Sequence, residues 1–167
     1  ALRKIQEALD LDPDNTDAHA LKNEVEKKRR AKKIEEWAAL AKKHGIALAL
    51  DDAHSIGVLG PNGEGTAAHF GMSDEVDLIA GTFSKSLASI GGFVAGSENV
   101  IHFLRHHSRP LIFTASLPPA NTAGVIAALE VMKREPERRT SLWANTRRLQ
   151  EGMRSLGYNT GETETPI

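Results

Sequence analysis

All 14 glycines of this 167-residue chain lie at Gly45 or later, and the first 44 residues hold one proline, Pro13. Glycine supplies the positive-φ backbone that tight turns demand, so a segment without it is confined to helices and simple connections. The chain therefore joins two differently built segments. In the first, Leu2, Ile5, Ala8 and Leu9 recur at helical spacing, and DLDPDNT then breaks the pattern with Pro13 and offers Asn15 or Thr16 as N-cap. That is the turn of a helical hairpin. A second helix is expected from about Asp17, with Ala18, Leu21 and Val25 on one face. The face lapses through EKKRRAKK, resumes with Ile34, Trp37, Ala38, Leu40 and Ala41, and ends at His44 and Gly45. Residues 22–43 carry nine Lys or Arg against four Glu, the composition of a solvated helix.

After Gly45 the pattern changes. IALAL (46–50), VDLIAG (76–81) and GFVAG (92–96) are short apolar runs without polar alternation, as expected for strands of a parallel sheet covered on both faces. LIFTA (111–115) is a weaker strand candidate, and helical patterns occupy Val100 to His107, Ala120 to Arg134 and Glu137 to Leu156. Strands followed by helices imply an α/β layer rather than a bundle. Only three or four strands are on offer, so both sheet edges are expected to be open, as in part of a domain.

Composition removes several function classes. With 21 basic and 22 acidic side chains the formal charge is −1, which leaves no basic excess for nucleic acid. The absence of cysteine excludes disulfides, thiolate nucleophiles and Cys-based metal sites. No apolar run reaches the ~18 residues of a membrane span, and no signal-like stretch follows Ala1, so a soluble, cytoplasmic protein is expected.

Ligands of doubly wound sheets bind beyond the carboxyl ends of the strands. Asp51, Asp52 and His54 follow IALAL directly; Thr82, Ser84 and Lys85 follow VDLIAG in the same way. The two groups converge on one crevice if their strands are neighbours. Lys85 is the only lysine between Lys43 and Lys133. In small, serine-rich surroundings a lysine can lose its proton by desolvation and form a Schiff base with a carbonyl; the plain alternative is a surface turn lysine.

Three stretches, DDAHSIGVLGPNGEG, GTFSKSLASIGG and SRPLIFTASLPPA, resemble in order and spacing the α-oxoamine synthase family of pyridoxal-phosphate-dependent enzymes, over about residues 34–167. The resemblance implies an α/β fold: a partial doubly wound sheet of the fold type I, aspartate aminotransferase-like large domain, preceded by an α-helical hairpin. It implies two regions, 1–33 and 34–167. Lys85 matches the lysine that forms the internal aldimine, Asp51 the carboxylate that pairs with the pyridine nitrogen, and His54 the histidine near the phenolic oxygen. Thr82 matches a residue of the cofactor pocket, and Thr114 one that reaches the phosphate of the neighbouring subunit's cofactor. The implied reaction is the decarboxylating condensation of an amino acid with an acyl-CoA to a 2-amino ketone, in a homodimer. In the family, the ring-stacking residue and phosphate loop precede the part matching residue 34, and the substrate arginine follows the part matching Ile167. A chain with these bounds is expected to bind cofactor weakly and to be inactive or weakly active alone; the alternative is a recombined, non-catalytic scaffold.

ALDLDPDNTDAHAL resembles the junction between tetratricopeptide repeats, although about three repeats are needed for a stable solenoid. An amphipathic hairpin capping the α/β part accounts for it equally well. His102 and His106 sit at i and i+4 without a third ligand or HExxH, so a solvated helix face is expected and no metal. GPNGEG lacks GK[ST] and opens no helix, which reads as a turn rather than a phosphate loop. Arg138, Arg139, Arg147 and Arg148 read as an exposed charged face.

Overall fold

The computed structural model describes residues 2–161, 163, 165 and 166. Two compact units divide the chain, Ala1–Ile46 and Ala47–Ile167.

The first unit is the expected helical hairpin. Helix α1 (Leu2–Leu11) buries Ile5 and Leu9, and helix α2 (Thr16–His44) starts where Asn15 Oδ1 accepts the Ala18 amide at 2.8 Å. The N-cap is thus Asn15. The charged stretch does not interrupt α2: Glu24 pairs with Lys28 at 2.6 Å, and Lys33 Nζ lies 5.1 Å from the Trp37 ring centroid. Such i,i+4 pairs support the helix through a stretch that has no large apolar residue to bury. Gly45, at φ 61°, ends it, with the Ile46 amide returning to Ala41 O at 3.0 Å.

The second unit is built on a three-stranded sheet of order β1-β2-β3, with β1 Ala49–Asp51, β2 Leu78–Thr82 and β3 Gly92–Gly96. Around it run α3 (Thr66–His69), a 3-10 turn (Ser73–Glu75), α4 (Glu98–His107), α5 (Arg109–Ile112), α6 (Pro119–Arg134) and α7 (Glu137–Ser155). Strands β1 and β2 are parallel, with Asp51 beside Ala80. Three sequence expectations are corrected here. GFVAG is a strand but runs antiparallel to β2, because the 83–91 connection is shorter than the dozen or so residues of a parallel crossover. LIFTA is not a strand: Ser108 and Pro110 start the helical turn α5, and Leu111, Ile112 and Phe113 stay exposed. The strands are not covered on both faces. In register, Asp51, Ala80 and Val94 share one face and all three are exposed, whereas Leu50, Ile79 and Phe93 on the opposite face are half-buried.

Candidate functional site

The carboxyl ends of β1 and β2 each release a loop. The ladder runs one step past Asp51, where the Asp52 amide donates to Ala80 O at 2.8 Å, and the chain then turns, with Ser55 and Ile56 amides returning to Asp52 O. This turn presents His54 outward. Asp51 sits on the open sheet face and accepts the Ala53 amide at 3.0 Å. Asp52 points the other way and is fully buried; its Oδ2 accepts the Thr66 amide at 2.9 Å. Beyond Ile56 the chain closes on itself through Gly57 N to Gly63 O (2.8 Å) and Gly65 N to Leu59 O (2.9 Å). Gly57, Gly60, Gly63 and Gly65 all have positive φ, so the glycine-rich stretch is a turn, as expected. It does, however, open a helix, the four-residue α3, because Gly65 reverses the chain just before Thr66.

The second loop, 83–91, carries Lys85. The Phe83 amide donates to Gly91 O at 2.9 Å and the Ser89 amide to Phe83 O at 2.8 Å, so its ends are tied together. The Thr82 hydroxyl reinforces the tie, donating to Gly91 O at 3.0 Å and lying 2.8 Å from Ser84 Oγ. Lys85 O accepts the Ala88 amide at 3.0 Å, and Ala88 takes the left-handed conformation (φ 51°) that closes this turn.

His54 and Lys85 line one cleft of about 530 Å³, the convergence expected of neighbouring strand ends. Its far wall is apolar, from Val131 and Met132 of α6 and Leu142 of α7, with Glu135, Arg138 and Arg139 at the junction of the two helices. Asp51, Thr82 and Thr114 are not among the lining residues. Thr114 follows α5, where its hydroxyl donates to Pro110 O.

Sequence reasoning missed part of this wall. Arg139 does not belong to a solvated face: its guanidinium donates to Met132 O at 3.2 Å and to Pro61 O at 3.0 Å, pinning α7 to the glycine-rich turn. Trp143 Nε1 adds a bond to Val58 O at 3.1 Å. Helical spacing had marked Arg139 as part of an exposed face and had not singled out Trp143; the acceptors of both are backbone carbonyls, which have no sequence signature. The Arg134 and Arg138 guanidinium groups hold the Glu135 carboxyl below the usual carboxylate range. Asn62, by side chain and backbone, does the same for Glu64. Elsewhere, the His102 and His106 rings lie 4.4 Å apart with His106 Nδ1 on His102 O, and both are exposed. Among the described residues no three His, Asp or Glu side chains cluster to hold a metal, and no helix is long and apolar enough to cross a membrane.

A parallel β1-β2 pair releases a lysine loop and a histidine turn at its carboxyl ends, the position at which open α/β sheets bind ligands. The family model of aminotransferase class I and II matches residues 30–167, and the chain belongs to that family. Its relatives are α-oxoamine synthases. It is 50% identical over 134 residues to a serine palmitoyltransferase of Sphingobacterium spiritivorum, covering 80% of this chain and 34% of the relative. It is 48% identical over 128 residues to an 8-amino-7-oxononanoate synthase of Symbiobacterium thermophilum, covering 77% and 33%. Among solved structures, Sphingomonas wittichii serine palmitoyltransferase superposes with a TM-score of 0.73 at 38% identity, covering 78% of this chain and 33% of that one. The 8-amino-7-oxononanoate synthase of Francisella tularensis gives 0.65 at 26% identity, covering 77% and 39%. A serine palmitoyltransferase holding pyridoxal phosphate as its internal aldimine gives 0.73 at 38%, covering 79% and 34%. The chain spans about a third of the length of these relatives. The fold is accordingly the partial fold type I large domain that the motifs implied.

Proposed function

We propose that residues 34–167 are the central segment of a pyridoxal-phosphate-dependent C-acyltransferase that joins an amino acid to an acyl-CoA, releasing CO₂, CoA and a 2-amino ketone. The observation behind this reading is the juxtaposition of Lys85 and His54 on one cleft, at the carboxyl ends of parallel strands, with Asp51 ending β1. The residues fit the cofactor. Asp51 offers a carboxylate on an open sheet face with the Ala53 amide as its hydrogen-bond partner among the described residues, and Lys85 offers an exposed primary amine. Bound pyridoxal phosphate supplies an electron sink for negative charge at an amino acid Cα.

The chain's own residues set how well that sink works. The Asp51 carboxylate would favour a protonated pyridine nitrogen through charge pairing. His54 would face the cofactor's phenolic side, and Thr82, at the end of β2, would belong to the cofactor pocket. The Lys85 amine would hold the cofactor covalently and would serve as the base that moves the Cα proton. Thr114 serves the phosphate of a second subunit in a homodimer, and the exposure of Leu111, Ile112 and Phe113 beside it supplies an apolar surface for that partner. On this reading the chain acts in the cytoplasm.

Cofactor attachment is the direct test. Purified chain is incubated with pyridoxal phosphate, reduced with borohydride and digested. A cofactor mass on the Lys85 peptide, absent from Lys85→Ala, supports the reading. Scattered labelling of exposed lysines that Lys85→Ala leaves unchanged overturns it.

A further inference from the structure

Two loops bear the candidate site, one with His54 and one with Lys85, and something must fix their mutual position. Among the described residues one side-chain hydrogen bond joins them: Ser86 Oγ donates to Ile56 O at 2.5 Å. Beside it the backbones crowd together. A Cβ built on Gly57 would lie 2.7 Å from Ser86 Cβ and 2.8 Å from Ser86 Oγ, closer than real Cβ atoms approach. Gly57 also stands at φ 81°, where side chains are strained. The seat under Ser86 is therefore shaped by a missing side chain and closed by a hydroxyl.

The seat is itself braced. The Gly57 amide donates to Gly63 O, and a Cβ on Gly63 would lie 3.1 Å from Gly57 Cα, so the two glycines pack backbone to backbone. Behind them Trp143 holds Val58 O and Arg139 holds Pro61 O. The turn that receives Ser86 is thus tied to α7. The base of the Lys85 loop is tied by Phe83, Ser89 and Gly91 and by Ser89 Oγ to Asn121 O at 3.2 Å, while Leu87 is buried at its tip.

We infer that Gly57 and Ser86 are positioning residues: together they dock the Lys85 turn on the His54 turn and so set where the Lys85 amine stands in the cleft. Ser86 is the chain neighbour of Lys85, so a shift of its backbone is passed directly to the lysine. The inference rests on the reading of Lys85 as the cofactor anchor for its meaning, but the docking itself can be measured without cofactor. Both residues line the cleft that Lys85 enters, and their role is exercised through the position of Lys85.

The test compares the full chain with Ser86→Ala, Ser86→Thr and Gly57→Ala. Loaded with pyridoxal phosphate, Ser86→Ala is expected to bind about tenfold more weakly, a loss of about 1.4 kcal/mol. It should also show altered visible circular dichroism per bound cofactor, a signal of cofactor orientation that a simple loss of stability does not move. Ser86→Thr keeps the donor and should restore both. Gly57→Ala should lose the signal; if it does not fold, the Ser86 pair decides. Unchanged affinity and dichroism in a folded Ser86→Ala would overturn the inference. If the parent chain itself takes up no cofactor on Lys85, the functional reading fails, and docking is read instead from acylation of Lys85 by a neutral amine reagent relative to Lys133. A change of twofold or more in that ratio in Ser86→Ala, reversed in Ser86→Thr, supports docking; an unchanged ratio overturns it.

Discussion

The Asp52 carboxylate accepts the Thr66 amide through Oδ2, while its Oδ1 is buried without a hydrogen-bond partner among the described residues. It is fully buried one residue from Asp51, so it organises the turn from below while Asp51 faces the open sheet. A Cβ on Gly65 would lie 2.1 Å from Asp52 Oδ2, so this carboxylate occupies the space that a side chain at Gly65 would take.

Replacing Asp52 by Ala leaves the Thr66 amide without its acceptor and is expected to cost about 1–3 kcal/mol. Gly65→Ala should cost at least as much, since it adds positive-φ strain to the clash. Thermal melts check both, at about 2–4 °C of midpoint per kcal/mol for a chain of this size. A midpoint for Asp52→Ala equal to that of the parent would remove the organising role.

Trp143→Phe deletes the bond to Val58 O while keeping most of the ring, so a loss of about 0.5–1.5 kcal/mol is expected. Arg139→Ala gives up two carbonyl partners and should cost more. Hydrogen exchange should show the 57–63 amides, Gly57 and Gly63 foremost, exchanging faster in both variants. Unaltered exchange there would mean that α7 does not brace the turn.

Asp51→Asn keeps the shape of the side chain and removes its charge. Affinity for pyridoxal phosphate should fall by about tenfold or more, equivalent to at least about 1.4 kcal/mol, with little change in the melt. Equilibrium dialysis measures the first and calorimetry the second. Equal affinity in the variant would leave Asp51 outside the site.

The Glu135 carboxyl is held below its ordinary value of 4.5 by Arg134 and Arg138. A carboxyl depressed in the folded state contributes stability that is present above the unfolded value and is lost as pH falls through the folded one. The melting midpoint should therefore drop as pH is lowered below about 4.5, and Glu135→Gln should flatten that part of the profile. Added salt should flatten it too, because the Arg134 and Arg138 groups are exposed and screened. An identical acid profile in the variant would contradict the pairing.

Phe113 is 79% exposed and follows the exposed Leu111 and Ile112. If this segment meets a second subunit, Phe113→Asp should shift sedimentation of the chain from dimer to monomer without lowering its melting midpoint. A parent chain that sediments as a monomer at every concentration would dismiss the subunit role of Thr114.

Element types were largely legible because their signals are local. Asn15 and Gly45 bound α2 by their own side-chain and backbone chemistry, and the strand runs around Leu50 and Ile79 are apolar and short. Strand direction was not local: GFVAG reads alike in either sense, and the length of the 83–91 loop decides it. Coverage of the sheet was not local either, since the run containing Ala80 is apolar whether or not anything lies over it. Of the candidate cleft, Lys85 and His54 were visible through motifs. Ser86 and Gly57 were not, because their importance lies in a close approach between loops 30 residues apart in sequence.

The unbroken course of α2 has a practical consequence for anyone dividing this chain. The family match starts at residue 30, inside a helix that runs from Thr16 to His44. A cut at that edge would leave two stubs near the ~12–15 residues below which isolated helices are marginal in water. Recombinant boundaries should respect the backbone instead, falling between Leu11 and Thr16 or just after Ile46, whose amide completes the cap.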